Sequence, residues 1–105
     1  MNKIPSRFLR FVERHPKVGE AYNALGEAVA EAGPLERKTQ ALVKLGIALG
    51  ARMEGAVHSH VRKALEAGAT PDEVRHAAIL ATTTVGFPNM MAGLSWVDDV
   101  LEPKE

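Results

Sequence analysis

Apolar residues recur three and four positions apart through most of this 105-residue chain, and this spacing constrains the fold more than any other feature. In one such segment, seven apolar residues would share a single helical face: Val18, Ala21, Tyr22, Leu25, Ala28, Val29 and Ala32. No segment shows the sustained alternation of apolar and polar residues that is typical of a half-buried strand. The spacing therefore predicts an all-α fold, a bundle of about six helices without a sheet.

Glycine and proline mark the ends of the first four predicted helices. The first begins after Pro5 and ends at His15-Pro16, and the second ends at Gly33-Pro34. The third ends near Gly50, and Gly68 is suited to the position just after the end of the fourth. The segments between these residues are long enough for helices of ordinary length.

Two further helices are predicted in the last third of the chain. Thr70-Pro71-Asp72-Glu73 combines a capping box with a proline at the first helical position, which indicates a helix start. We expect this helix to continue to Val85 and to be apolar around most of its circumference. The residues Gly86-Phe87-Pro88-Asn89 should then separate it from a last helix that carries Met90 to Leu101.

Composition and charge limit the kinds of partner that we expect. Thirteen Lys and Arg balance thirteen Asp and Glu, so no net field attracts nucleic acid or an anionic membrane. No window approaches the ~20 apolar residues of a membrane span. Residues 1–14 lack the apolar region of a secretory signal, so we expect a cytoplasmic protein. The length predicts a single domain over residues 1–105.

The chain contains no cysteine. Disulfides, thiolate metal sites and any cysteine-based peroxidase or reductase chemistry are therefore excluded within this chain.

The candidate catalytic residues lie on the fourth predicted helix. At about 100° per residue, His60 falls near the middle of an apolar arc that also contains Met53, Ala56, Val57, Val61, Ala64 and Gly68. Glu54 and His58 lie four residues apart at one edge of that arc. Burial would lower the pKa of His60 and keep the imidazole neutral, ready to act as an acid or base, with Glu54 or His58 in support. The alternative is a hydrogen-bonded core histidine beside a modest surface pair.

Residues near this pair could also bind a metal ion or a ligand. His58 and His60 point about 200° apart on a helix, so we expect no metal site unless the helix is broken or a neighbouring subunit contributes. No cofactor is expected. Arg52 could bind a substrate carboxylate, or it could be a solvated arginine at the helix start. The hydroxyls of Thr82, Thr83 and Thr84 should bond back to helix carbonyls rather than to a ligand.

Residues 35–99 resemble the carboxymuconolactone decarboxylase family, which includes the alkylhydroperoxidase D-like proteins. The resemblance rests on Leu35-Glu36-Arg37-Lys38-Thr39 before an Ala- and Leu-rich helix, then on Met53-Glu54-Gly55-Ala56-Val57-His58-Ser59-His60. It continues through Ala64-Leu65-Glu66-Ala67-Gly68-Ala69-Thr70-Pro71-Asp72-Glu73-Val74 and the apolar helix that follows. The resemblance implies an all-helical fold that assembles as dimers, trimers or hexamers, with active sites near subunit contacts.

The differences between this chain and that family limit the reactions that the chain can catalyse. The redox branch has cysteines where this chain has Met53 and Ala56, and a proton-relay glutamate where it has Ala41, so only His60 remains of that relay. Peroxide reduction by that mechanism cannot operate without a thiol. The decarboxylase branch needs no cysteine, although it has a glutamate where this chain has Ala56.

These observations support a leading hypothesis and several alternatives. The first is a small homo-oligomeric lyase that acts on a carboxylated lactone or a similar small acid through His60, Glu54 and His58. The second is a non-catalytic binding or assembly module on the same scaffold. A metal-dependent lyase or hydrolase is the third, and a peroxidase is disfavoured because cysteine is absent. Self-association is expected because the last two helices offer more apolar surface than so small a domain readily covers.

Overall fold

The computed structural model describes residues 5–104, and most of them are helical. The helices are α1 (Ser6–Arg14), α2 (Pro16–Ala30), α3 (Arg37–Gly50), α4 (Glu54–Glu66), α5 (Pro71–Ile79) and α6 (Phe87–Leu101), with a short 3-10 helix (Leu80–Thr83) between α5 and α6. No strand occurs among these described residues. The predicted all-α fold with about six helices is therefore confirmed.

The described chain forms two compact units, residues 5–35 and residues 36–104. The single domain expected over residues 1–105 stays a prediction, and residues 1–4 and 105 lie outside the described part. The first unit is the pair α1 and α2. The rings of Phe8 and Tyr22 meet edge to face at 6.5 Å, and Val12 packs so closely on Gly19 that a Cβ there would lie 2.8 Å from its Cγ1.

The second unit, α3 to α6, contains the hydrophobic core that positions the candidate site. Its largest fully buried side chains are Leu45, Leu49, Val57, Val61, Val74 and Val97. Helix α4 packs against both α3 and α6. Its buried residues Val57, Val61 and Ala64 belong to the predicted apolar arc, whereas Met53 at the end of that arc is exposed. The buried side of α4 was therefore predicted correctly at Val57, Val61 and Ala64, whereas His60, expected near the middle of the arc, is only half-buried.

The start of α5 has the predicted capping box. The backbone N–H of Glu73 donates to Thr70 Oγ1 over 3.1 Å, and the backbone N–H of Thr70 donates to Glu73 Oε1 over 2.9 Å. Pro71 is the first helical residue. The Glu73 carboxylate also accepts a 3.2 Å hydrogen bond from Lys38 Nζ on α3, so the cap of α5 is joined to a second helix.

The end of α5 differs from the prediction. The α-helix stops at Ile79 instead of continuing to Val85, and the chain tightens into the 3-10 helix. Thr82 Oγ1 donates to Ile79 O over 2.6 Å, and Thr84 Oγ1 donates to Leu80 O over 3.4 Å. Thr82 and Thr84 thus make the back-bonding that was expected for the three threonines, and such bonds compete with regular helix hydrogen bonding.

The start of α6 also differs from the prediction. Gly86 is the N-cap with φ +97°, a conformation that suits glycine, and α6 begins at Phe87. Pro88 lies in the first turn, where a missing N–H removes no helical hydrogen bond. The residues expected to separate two helices thus form the beginning of the second one. None of the described helices is long and apolar enough to span a bilayer.

Candidate functional site

Helix α4 presents its two histidines to different neighbours. His58 lies against α6, where its Nε2 is 3.1 Å from Asp99 Oδ2. His60 instead lines a cleft shared with α3. Positions two apart on a helix point about 200° away from each other. The predicted divergence of the two imidazoles is therefore present, and each has to be considered with its own surroundings.

The His60 cleft has a volume of about 380 Å³ and lies between α3 and α4. Its lining residues are Arg37, Gln40, Ala41, Lys44, His60, Lys63, Glu66 and Ala67. Lys63 follows His60 by three positions, which places both on one side of α4. A second, more open hollow of about 390 Å³ shares Arg37 and Ala67 with this cleft. The concave surface therefore continues past Arg37 toward the start of α3.

The surroundings of His60 favour its neutral form. The pKa of His60 is lowered from its ordinary value, chiefly by burial and then by the positive charges of Lys63 and Lys44. His60 Nδ1 is buried and has no hydrogen-bond partner among the described residues. A proton on that nitrogen would have no acceptor, which adds to the cost of charging the ring. The imidazole is half-buried rather than fully enclosed, so a ligand in the cleft can reach it.

The cleft carries an excess of positive charge. Arg37, Lys44 and Lys63 bring three cations to its wall, whereas Glu66 brings one anion. A partly enclosed surface of one sign attracts small ligands of the opposite sign. The cleft is therefore suited to a small molecule with one or more carboxylates.

Glu54 and His58 form a different group, together with Asp99 of α6. His58 Nε2 lies 3.1 Å from Asp99 Oδ2 and 3.9 Å from Glu54 Oε2. One ligand atom of each residue lies within 4.8 Å of the other two. The predicted Glu54–His58 proximity is thus present, but neither residue lines the His60 cleft. The three predicted catalytic residues are divided between two places.

Arg52 lies in the turn between α3 and α4 and outside the residues that line the cleft. Its φ of +60° is unusual for a residue with a side chain. Its guanidinium donates to the side-chain oxygen of Asn89 in the first turn of α6, and Asn89 Nδ2 donates to Val85 O over 2.7 Å. The contacts of Arg52 connect this turn with the start of α6.

The positions to which the sequence resemblance assigns a redox relay are occupied by apolar residues. Ala41, the position that the resemblance assigns to the relay glutamate, is buried and lines the same cleft as His60. Met53 is exposed at the N-cap of α4, and Ala56 packs partly buried against the core. The described site therefore has no group that could reduce a peroxide by thiol chemistry.

Sequence reasoning missed four residues that the structure places beside the candidate groups. Lys63 could have been found from its spacing to His60. Arg37 and Lys44 reach the cleft from α3, and Asp99 reaches His58 from α6. No local pattern indicates these contacts, because they depend on which helix faces pack together.

The comparisons with known proteins agree with this fold. The model of the carboxymuconolactone decarboxylase family matches residues 16–99. An uncharacterized protein of Haemophilus influenzae is 43% identical over 61 residues, which are 58% of this chain and 54% of that protein. The chain thus spans about half the length of this relative. No solved structure gives a significant match. Because the family match extends over most of its length, the chain belongs to the carboxymuconolactone decarboxylase family.

Proposed function

We propose that the chain is a decarboxylase-like lyase that binds a carboxylated lactone or a similar small acid in the cleft between α3 and α4. The observation that carries this proposal is the presence of the His60 imidazole in the same cleft as Arg37, Lys44 and Lys63. The family membership supports it at a coarser level. Glu54, His58 and Arg52 lie outside the lining of this cleft, so the proposal gives the acid/base role to His60.

The cations of the cleft have two roles in such a reaction. A guanidinium can hold a carboxylate through two parallel hydrogen bonds, and Arg37 is the residue of the cleft with that geometry. When the carbon–carbon bond to a carboxylate breaks, carbon dioxide leaves and the electron pair remains on the substrate as an enolate-like anion. Lys44 and Lys63 stabilise negative charge that develops in this space.

His60 supplies the proton transfer that completes the reaction. The anion left by the loss of carbon dioxide has to take up one proton, and the His60 imidazole is placed in the cleft to pass it on from water. A positioned acid or base of this kind contributes about 10²–10⁴-fold to a rate. Ala41 beside it adds no competing titratable group.

The test is carbon dioxide release from a carboxymuconolactone-type lactone by the purified protein. His60→Gln should lower kcat by about 100-fold or more, while KM changes less because the cations remain. His76→Gln is the control, since His76 is an exposed residue of α5 outside the cleft lining. Equal turnover by the wild type and His60→Gln would contradict the assignment of His60. Binding of the lactone without turnover would favour a binding module instead.

A further inference from the structure

We propose that Glu54, His58 and Asp99 form a binding site for a divalent transition-metal ion of the Zn²⁺ type, between α4 and α6. This site is separate from the His60 cleft and does not depend on the proposed lyase function. The sequence alone suggested His58 and His60 as possible ligands, but His60 faces the cleft. In the structure, Asp99 of α6 is the residue that lies beside His58 and Glu54.

The distances among the three side chains fit a shared ion. Metal–nitrogen and metal–oxygen bonds to Zn²⁺ are about 2.0–2.2 Å long, so two ligand atoms on one ion lie about 3.0–3.5 Å apart at tetrahedral or octahedral angles. His58 Nε2 is 3.1 Å from Asp99 Oδ2 and 3.9 Å from Glu54 Oε2. All three ligand atoms lie within 4.8 Å of one another. Small rotations of the two carboxylates are enough to bring them around one ion.

The carboxylates have the freedom to make that adjustment. The side chains of Glu54 and Asp99 are each 56% exposed, whereas His58 is more enclosed at 27%. The imidazole is therefore the fixed ligand, and the two acids close on the ion from the solvent side. Glu54 is the first residue of α4, and His58 follows one turn later, so both lie on the same edge of that helix.

The chemistry of the ligands indicates the class of ion. Two carboxylates offset the double positive charge of the ion, and an imidazole nitrogen favours Zn²⁺ and similar transition metals over Ca²⁺ and Mg²⁺, which prefer oxygen. Three protein ligands leave at least one coordination position for water, as in zinc sites that are open to solvent. A plain ion pair, with a protonated His58 between two carboxylates, is the competing explanation of the same contacts.

The experiment is calorimetric titration of the purified, chelator-treated full chain with ZnCl₂ alone. The wild type should bind one ion per chain, and both His58→Asn and Asp99→Asn should weaken the affinity by more than about 10-fold, since even an outer-shell partner contributes that much. Asp98→Asn and His76→Asn are the matched controls, because neither residue belongs to the group of three. His60→Gln should also leave the affinity unchanged.

The outcomes separate the metal site from its alternatives. Loss of affinity confined to the His58 and Asp99 variants supports the site, and a Zn²⁺-dependent rise in Tm that disappears in Asp99→Asn supports it independently. No binding by the wild type, or equal weakening in the control variants, overturns it. Helix content measured by circular dichroism shows whether each variant is folded before it is titrated. Failure of this experiment leaves the lyase proposal unaffected, because the assay of carbon dioxide release concerns a different set of residues.

Discussion

The backbone of Gly93 on α6 lies directly against the side chain of Leu49 on α3. A Cβ atom built at Gly93 would lie 2.3 Å from both Cγ and Cδ1 of Leu49. Leu49 is almost completely buried, so its side chain cannot turn away into solvent. The crossing of α3 and α6 therefore requires a residue without a side chain at position 93.

Gly93→Ala is expected to destabilise the fold, although alanine is the better helix former. Overpacking costs about 1–3 kcal/mol, and an overlap with two Leu49 atoms at 2.3 Å should fall in the upper part of that range, above the gain of about 1 kcal/mol in helix propensity. Gly46→Ala is the control, because a Cβ at Gly46 of α3 meets nothing within 4 Å. That variant should gain about 0.5–1 kcal/mol. Urea unfolding of both variants provides the measurement, and stabilisation by Gly93→Ala would contradict the described packing.

The contrast between Gly93 and Thr70 shows how much of the fold could be predicted from sequence. The start of α5 follows from a local pattern, since Thr70 and Glu73 satisfy each other within one helical turn. The buried side of α4 likewise follows from the spacing of Val57 and Val61. The requirement for glycine at position 93 depends on Leu49 of another helix, and no local pattern reveals that contact.

The candidate site was predictable to a similar extent. His60 and the Glu54–His58 pair could be recognised from their places on one helix, and Glu54 does lie near His58. His60, expected within an apolar arc, lies instead half-buried at a cleft with charged walls. The cations that surround His60 could not be recognised, because Arg37 and Lys44 come from α3. The division of the predicted group into two places follows from the packing of α4 between α3 and α6.

The charge of Glu73 should make the free energy of unfolding depend on pH in the acid range. Its pKa is lowered, mainly by the hydrogen bond from the Thr70 backbone and then by Lys38. A carboxyl whose pKa is lower in the folded chain stabilises the fold above its unfolded pKa of about 4.3, and this contribution disappears as the pH falls through the folded pKa. Glu73→Gln keeps a side chain that can accept the Thr70 hydrogen bond but has no charge.

The measurement is the free energy of unfolding of wild type and Glu73→Gln from pH 7 to pH 3. The difference between them should be largest near neutral pH and should shrink below about pH 4. Lys38→Met should reduce the same pH dependence, since it removes one of the groups that lower the pKa of Glu73. A difference that stays constant over the whole range would show that the charge of Glu73 has no role.

We propose that copies of the chain associate through apolar side chains that the second unit leaves in solvent. The large exposed ones are Val43, Ile47, Met53, Ile79, Leu80, Phe87 and Met91. Val43 and Ile47 lie one turn apart on α3, and Ile47 is 65% exposed. Several large apolar side chains left exposed on one unit indicate a surface that binds another protein chain, whereas a single exposed apolar residue needs no such explanation.

Light scattering should therefore give a mass that is a multiple of 11.3 kDa at micromolar concentration. The double variant Val43→Glu, Ile47→Glu should dissociate the assembly, because a charge cannot be buried there without a partner. Both positions are exposed, so circular dichroism should show unchanged helix content. A monomeric wild type would contradict self-association.

Removing a positive charge from the His60 cleft should weaken the binding of small carboxylates, and removing its negative charge should strengthen it. Lys44→Gln removes a cation from the wall and should weaken succinate binding by about 5-fold, the equivalent of about 1 kcal/mol for a charge pair near 4 Å in a solvated site. Glu66→Gln removes the anion of the same wall and should strengthen binding by a similar factor. Calorimetric titration at low salt gives both affinities, and added salt should reduce both differences. Partial unfolding would weaken binding in either variant, so it cannot explain tighter binding by Glu66→Gln. Weaker binding by both variants would contradict an electrostatic role for the cleft.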